Sequence, residues 1–179
     1  IEVNAKMKNV LIPTKLDTIS AEMLKEKGYN VSQDANTALD EQVKQYPDTE
    51  VLIVRSEKVT AAIIDALPKL KLVVRAGAGY NTIDIKYARR NNVAVMNTPG
   101  ANSNAVAEEV IAMMLADARH IVQGDISTRA GEWLKGKMMG TELTGKTIGI
   151  LGLGNIGRLL IKRLQGFEMK FLGYDPFIS

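Results

Sequence analysis

Three glycines stand at fixed offsets, Gly152-x-Gly154-x-x-Gly157, between two apolar runs of different character. Before them, Thr147–Leu151 is a short aliphatic run that leads into Gly152 and reads as a buried strand. After them, Ile156–Leu164 carries its apolar residues at helical spacing. Glycine reaches backbone angles closed to other residues, so Gly152 is expected to turn the strand sharply into the helix. Gly157, on the first helical turn, is expected to let helix and strand approach closely. A further run, MKFLGY, reads as the next strand and ends at Asp175. Strand, glycine turn, helix and strand in that order describe a βαβ unit with parallel strands.

The same spacing has chemical content. Gly154 leaves the backbone bare where a pyrophosphate would approach. Asn155 and Ile156 open the helix, whose first N–H groups and positive dipole end favour an anion. Asp175 follows Gly157 by 18 residues, at a strand end, where a carboxylate accepts both hydroxyls of a ribose. A carboxylate there repels a 2′-phosphate, and Pro176 and Phe177 bring no cation to hold one. The reading is a Rossmann NAD site rather than an NADP site, with Gly152, Gly154, Asn155, Ile156, Gly157 and Asp175 as cofactor-binding residues. The alternative is a glycine turn that serves only packing in an unrelated α/β fold.

Upstream, short apolar runs again alternate with helical patterns. NVLIPT (9–14), EVLIVRS (50–56), KLKLVVRAG (69–77) and VAVMN (93–97) read as four successive strands. ISAEMLKEKG, closed by Gly28, and TAAIIDAL read as helices, and IDIKYARRNN as a short one capped by Asn81 or Thr82. Strands with successive apolar residues, separated by helices, predict a parallel sheet covered on both faces. Residues 1–98 are therefore expected to form a flavodoxin-like α/β domain, and NTPG (97–100) to break the chain after it. Residues 99–179 are expected to be the N-terminal part of a Rossmann domain. It would begin with a long helix from Ser103 to Val122, with capping oxygens from Asn102, Ser103 and Asn104 and with Glu108 and Glu109 early in it. VIAMMLA, in its middle, is apolar on nearly all sides and predicts wide burial, including against a second subunit.

Composition narrows the function classes. With no cysteine among 179 residues there is no disulfide, thiolate metal site or cysteine nucleophile, which fits a cytoplasmic protein. The net charge of +3 is spread: 14 basic and 12 acidic residues up to 97, then 9 and 8. No basic stripe marks a nucleic-acid binder. The longest apolar run, Val110–Leu115, is far too short to span a bilayer, and IEVNAKMKN lacks the apolar core of a signal peptide. Met7 is the natural start on this reading. No metal site is expected.

RAGAGYNTID, MNTPGANSNAVAEEV, MMGTELTGKTIGILGLGNIGR and GYDP together resemble the D-2-hydroxyacid dehydrogenase family, nearest its D-3-phosphoglycerate dehydrogenase branch. The resemblance runs from about Val51 to Ser179, while residues 1–50 fit only in general pattern. It implies a discontinuous substrate domain with a nucleotide domain inserted, and hydride passing between the substrate C2 and a nicotinamide. It implies a small anionic substrate, 3-phosphoglycerate, oxidised to 3-phosphohydroxypyruvate in serine biosynthesis. A histidine–glutamate pair for acid–base work and an arginine for the carboxylate are implied downstream of Ser179. On that reading the chain carries no catalytic residue and is inactive alone. His120, the only histidine, lies within ARHIV of the long helix and reads as a packing or interface residue.

What the resemblance carries over is a binding shell. The loop from Arg75 to Gly79 ends a strand, where open α/β sheets bind ligands, and its two glycines are expected to offer backbone N–H groups to a carboxylate. Arg55, Arg75, Ala76, Gly77 and Asn102 are thereby expected to contact substrate, and Ala78 the cofactor. Many phosphoglycerate enzymes have threonine where Ala78 stands, so a hydroxyl contact is lost there. A plain glycine turn, ordinary surface arginines and simple helix capping by Asn102 are the alternatives. Trp133 reads as a docking anchor, and with the helix 103–122 it implies a homodimer or higher assembly; Lys135 and Lys137 would approach the partner's site. Competing functions are a glyoxylate or hydroxypyruvate reductase and a non-catalytic, corepressor-like NAD sensor.

Overall fold

The computed structural model describes residues 8–178. Met7 lies outside them. The chain divides into two compact units between Pro99 and Gly100.

The first unit is a five-stranded sheet made of β1 (Asn9–Ile12), β2 (Asn30–Gln33), β3 (Val51–Val54), β4 (Leu72–Arg75) and β5 (Ala94–Asn97). The strands lie in the order β2-β1-β3-β4-β5 and all pairs are parallel. That is the flavodoxin-like order. Its helices are α1 (Ile19–Glu26), α2 (Leu39–Gln45), α3 (Ala61–Asp65) and α4 (Ile85–Arg90).

The four expected strands are present, but EVLIVRS supplies the third strand, not the second. The strand NVSQ and the helix after it carry too little apolar pattern to stand out. β2 pairs with β1 alone and none of its residues is fully buried, so polar side chains cost it little. α2 is held by Gln42, whose buried amide donates to the carbonyls of Asp34 at 2.9 Å and Thr37 at 2.6 Å. The cap of α4 is Asp84, which accepts the N–H of Tyr87 at 2.9 Å, rather than Asn81 or Thr82.

One sheet face is sealed: Leu11, Leu52, Val54 and Val73 are buried with Val43, Ile63, Ile64 and Ala88 from α2, α3 and α4. The other buries Val10 and Ile12 beneath Ala21 of α1, but Met96 of β5 remains 57% exposed. The expected cover on both faces is therefore only partial within the described residues. A single short helix cannot roof five strands.

The second unit contains α5 (Ser103–Ala118), α6 (Ile121–Arg129), β6 (Thr147–Leu151), α7 (Asn155–Leu164) and β7 (Lys170–Tyr174). β6 and β7 pair in parallel from Thr147↔Lys170 to Leu151↔Tyr174. Ala107 of α5 is buried with Ile150, Leu160 and Leu164.

The helix expected from Ser103 to Val122 is two helices. His120 sits between them in the left-handed region, at φ 52° and ψ 37°. Nothing in ADARHIV demands a break. It follows from a contact with a distant segment: the Ala118 carbonyl, which a continuing helix would give to Val122, accepts the N–H of Thr141 at 2.7 Å. Gly140 makes that approach possible, because a Cβ there would collide with the same carbonyl oxygen.

The capping differs as well. No side chain caps the head of α5, and Asn104 instead donates to Glu108 at 2.8 Å. Glu108 and Glu109 lie beyond the first turn, and Glu108 reaches toward Arg163 of α7 at 3.7 Å. Nor is VIAMMLA widely buried in this chain. Val110, Ile111 and Met114 are partly covered by packing in the core of this unit, while Met113 is 57% exposed.

Candidate functional site

The glycine turn is a tight strand-to-helix corner. Gly152 has φ +96°, and its N–H donates to the Tyr174 carbonyl at 2.7 Å, so the end of β7 ties down the end of β6. A Cβ on Gly157 would collide with the Gly152 carbonyl, which explains the third glycine as close approach of α7 to the turn. Gly154 is the opposite case: a Cβ built there meets nothing within 4 Å. The bare position faces open space, which is the condition for a ligand to reach the backbone. Among the described residues no acceptor is found for the N–H groups of Asn155, Ile156 and Gly157 at the head of α7, the orphan donors of any helix start.

Asp175 follows β7 and is anchored by two main-chain amides. Its Oδ1 accepts from Phe177 N–H at 2.9 Å and its Oδ2 from Leu153 N–H at 2.8 Å. These bonds, Phe177's first, with the charge of Arg158 adding to them, hold the carboxyl below its ordinary pKa. Each oxygen keeps a further lone pair for a hydroxyl donor. Pro176 and Phe177, which follow Asp175, bring no cation to it. Arg158, on the first turn of α7, supplies one, with its Nε donating to the Leu153 carbonyl at 2.8 Å. Asn155 lies beside Gly100, its Nδ2 3.1 Å from where a Cβ on that glycine would stand. Asn102 is exposed.

The second cluster lies on the first unit, at the carboxyl ends of β3 and β4, which pair Val54 with Arg75. Arg75 Nε donates to the Arg55 carbonyl at 3.0 Å, and its guanidinium occupies the space that a Cβ on Gly77 would need. A side chain at Gly77 would have to displace that guanidinium. The expected N–H cradle is displaced along the loop. Ala76 N–H is spent on the Val54 carbonyl at 2.7 Å, and Gly77 N–H on the Arg75 carbonyl at 2.9 Å. Among the described residues those of Ala78 and Gly79 have no acceptor. The loop is pinned from β5: Thr98 N–H donates to Gly77 at 3.0 Å, and Asn97 Nδ2 to Ala78 at 2.7 Å. Sequence reasoning missed Asn97 and also Glu57, whose Oε2 accepts Arg55 N–H at 2.8 Å and Ser56 N–H at 3.0 Å.

His120 lies half-buried at the α5–α6 corner, not within a continuous helix. Trp133 is 85% exposed, and Lys135 and Lys137 are exposed on a short turn after it. Among the described residues no three His, Cys, Asp or Glu side chains are grouped to hold a metal, and no helix is long and apolar enough to cross a membrane.

Comparison with known proteins gives concordant results. Residues 10–161 match the model of the D-isomer specific 2-hydroxyacid dehydrogenase catalytic domain. The match begins well before Val51, so the likeness includes the first strands. The chain is 46% identical over 176 residues to D-3-phosphoglycerate dehydrogenase of Homo sapiens, covering 98% of this chain and 33% of that protein. It is 47% identical over 138 residues to hydroxypyruvate reductase of Thermotoga maritima, covering 76% of this chain and 45% of that protein. A solved structure of NAD+-bound 3-phosphoglycerate dehydrogenase from Entamoeba histolytica superimposes with a TM-score of 0.76 at 33% identity, over 97% of this chain and 56% of that one. The chain spans about a third of the length of the phosphoglycerate dehydrogenases it matches.

Proposed function

This chain belongs to the D-isomer specific 2-hydroxyacid dehydrogenase family, and on that premise we propose that it is the NAD-binding and substrate-anchoring part of a D-3-phosphoglycerate dehydrogenase. The parent enzyme oxidises 3-phosphoglycerate to 3-phosphohydroxypyruvate. Residues up to 98 belong to its substrate-binding domain and those from 99 to its nucleotide-binding domain.

The observation that carries the cofactor assignment is the turn itself: open space over Gly154 beside an ionised Asp175. NAD fits these residues. The N–H groups of Asn155, Ile156 and Gly157 face its pyrophosphate, Gly152 shapes the turn, and Asp175 accepts the ribose hydroxyls. When bound, NAD supplies the hydride acceptor for the alcohol carbon. Arg55 and Arg75 anchor the substrate's anionic groups, with Ala76 and Gly77 shaping the loop between strand and ligand. The free N–H groups of Ala78 and Gly79 add donors, Ala78 on the cofactor side, and Asn102 contacts substrate. Removing the alcohol proton requires a base, and we assign none in this chain; His120 is a corner residue.

The assembly proposed is a cytoplasmic homodimer or higher oligomer with no nucleic-acid or membrane partner. Its interface uses the exposed apolar residues Met113, Ile121, Val122, Ile126 and Trp133.

A second reading, reduction of hydroxypyruvate or glyoxylate, draws support from the identity to the Thermotoga maritima reductase. The test is NADH formation from NAD and 3-phosphoglycerate by the natural full-length protein. Saturable turnover supports the first reading. Absence of turnover together with brisk glyoxylate reduction replaces it with the second.

A further inference from the structure

We propose that Glu57 is a positioning residue for anion binding: its carboxylate fixes the main chain of Arg55, and through the Arg55 carbonyl it aims the guanidinium of Arg75. The inference rests on the reading that Arg75 receives the substrate's anionic group.

A carboxylate beside two arginines at the rim of an anion site is a puzzle, because its charge repels the ligand those arginines would attract. The geometry resolves it. Glu57 turns inward, and its Oε2 gathers the N–H groups of both Arg55 and Ser56, at 2.8 and 3.0 Å. The hydroxyl of Thr14, a buried residue just after β1, bonds the same carboxylate. Burial raises the acid's pKa, but the Arg55 amide, the Thr14 hydroxyl and the further amides outweigh it, and Glu57 stays below its ordinary value. The ionised group therefore acts as an acceptor that clamps the first residues after β3 against the end of β1.

The clamp has a consequence one residue further. The peptide joining Arg55 to Ser56, whose Ser56 N–H is held by Glu57 at 3.0 Å, presents the Arg55 carbonyl to Arg75 Nε at 3.0 Å. Arg75 lies over Gly77, where no side chain competes for the space. One Nε bond to a fixed carbonyl leaves the terminal guanidinium nitrogens available as a fork for a carboxylate or phosphate. If the Arg55 peptide loses its anchor, Arg75 loses the point that sets its direction. Glu57 thus acts on the ligand through another residue and touches none of it.

Two substitutions in the full-length protein separate this from a purely electrostatic role. Glu57→Gln keeps an oxygen for the two amides and offers an N–H to Thr14, but removes the charge. Glu57→Ala removes both. The first readout is hydrogen exchange of the Arg75 Nε–H by nitrogen-15 NMR, and the second is affinity for inorganic phosphate and for 3-phosphoglycerate by calorimetry. The expected result is slow exchange in wild type and Glu57→Gln, exchange at least about tenfold faster in Glu57→Ala, and about tenfold weaker anion binding in the alanine variant alone. An unchanged Arg75 signal in Glu57→Ala overturns the proposal. So does tighter anion binding in both variants, which would make Glu57 only a repelling charge. If the Arg75 signal and phosphate affinity respond as expected while the protein oxidises no 3-phosphoglycerate, the positioning role stands and the substrate assignment falls.

Discussion

Asp175 and Leu153 close the glycine turn between them: the Oδ2 of the acid accepts the main-chain N–H of Leu153 at 2.8 Å. Asp175 also accepts Phe177 N–H through Oδ1, so both oxygens are aimed before any ligand arrives. The residue proposed to accept the ribose is at the same time a strut of the turn proposed to meet the pyrophosphate. On that proposal, ligand selection and turn geometry are coupled at one side chain.

That coupling gives the first prediction. Asp175→Asn keeps an acceptor for Leu153 but removes the charge that repels a 2′-phosphate, while Arg158 remains nearby. The preference for NAD over NADP is expected to fall at least about tenfold, equivalent to about 1.4 kcal/mol, in titrations of the natural full-length protein with each cofactor. An unchanged ratio would mean that discrimination is made elsewhere.

The last two glycines of the motif should separate folding from binding. A side chain at Gly157 meets main chain that cannot step aside, so Gly157→Ala is expected to cost about 1–3 kcal/mol of stability. Gly154 faces open space, so Gly154→Ala should leave the urea midpoint close to wild type while weakening cofactor binding. Equal losses of stability in both variants would sink the distinction.

How much of this was legible from the residues depends on how locally each feature is encoded. β1, β3, β4 and β5 announce themselves as apolar runs, and Gly152, Gly157 and Asp175 do so by spacing, because their roles belong to one continuous βαβ segment. β2 is silent because NVSQ is an edge strand that needs no apolar face. The break after Ala118 is silent because Thr141 imposes it from beyond α6. The Glu57–Arg55–Arg75 chain is silent for a third reason. Its last bond joins residues 20 apart, across neighbouring strands whose register no periodicity states.

Acid should destabilise the protein through identifiable groups. Asp34, bonded first by the Thr37 side chain and then by the Asn36 amide, lies below its ordinary 3.8, as do Asp175 and, relative to 4.5, Glu57. Each is depressed in the folded state, so its contribution is complete above those unfolded values and is lost as pH falls through the lower folded ones. The unfolded chain then binds more protons, and the urea midpoint is expected to drop as pH falls below about 5. Asp34→Asn should flatten that slope. A slope unaffected by the substitution would exclude Asp34 as a source.

The corner between α5 and α6 yields the sharpest contrast in sign. At φ 52° His120 sits where a β-carbon is crowded, a cost of about 1–2 kcal/mol for most residues. His120→Gly is therefore expected to be neutral or to stabilise by up to about 1 kcal/mol, and His120→Val to destabilise by a similar amount. If residues 103–122 formed one continuous helix, glycine at this position would instead cost about 1 kcal/mol. Gly140→Ala tests the cause of the corner from the other side. Its new methyl would push against the Ala118 carbonyl and loosen the Thr141 bond that ends α5. A loss of about 1–3 kcal/mol in the alanine variant is expected from overpacking against main chain. Together with a gain or no change in His120→Gly, measured by urea unfolding, that loss would assign the break to the docking of the Gly140–Thr141 segment rather than to local sequence. A stabilising Gly140→Ala would return the break to the helix itself.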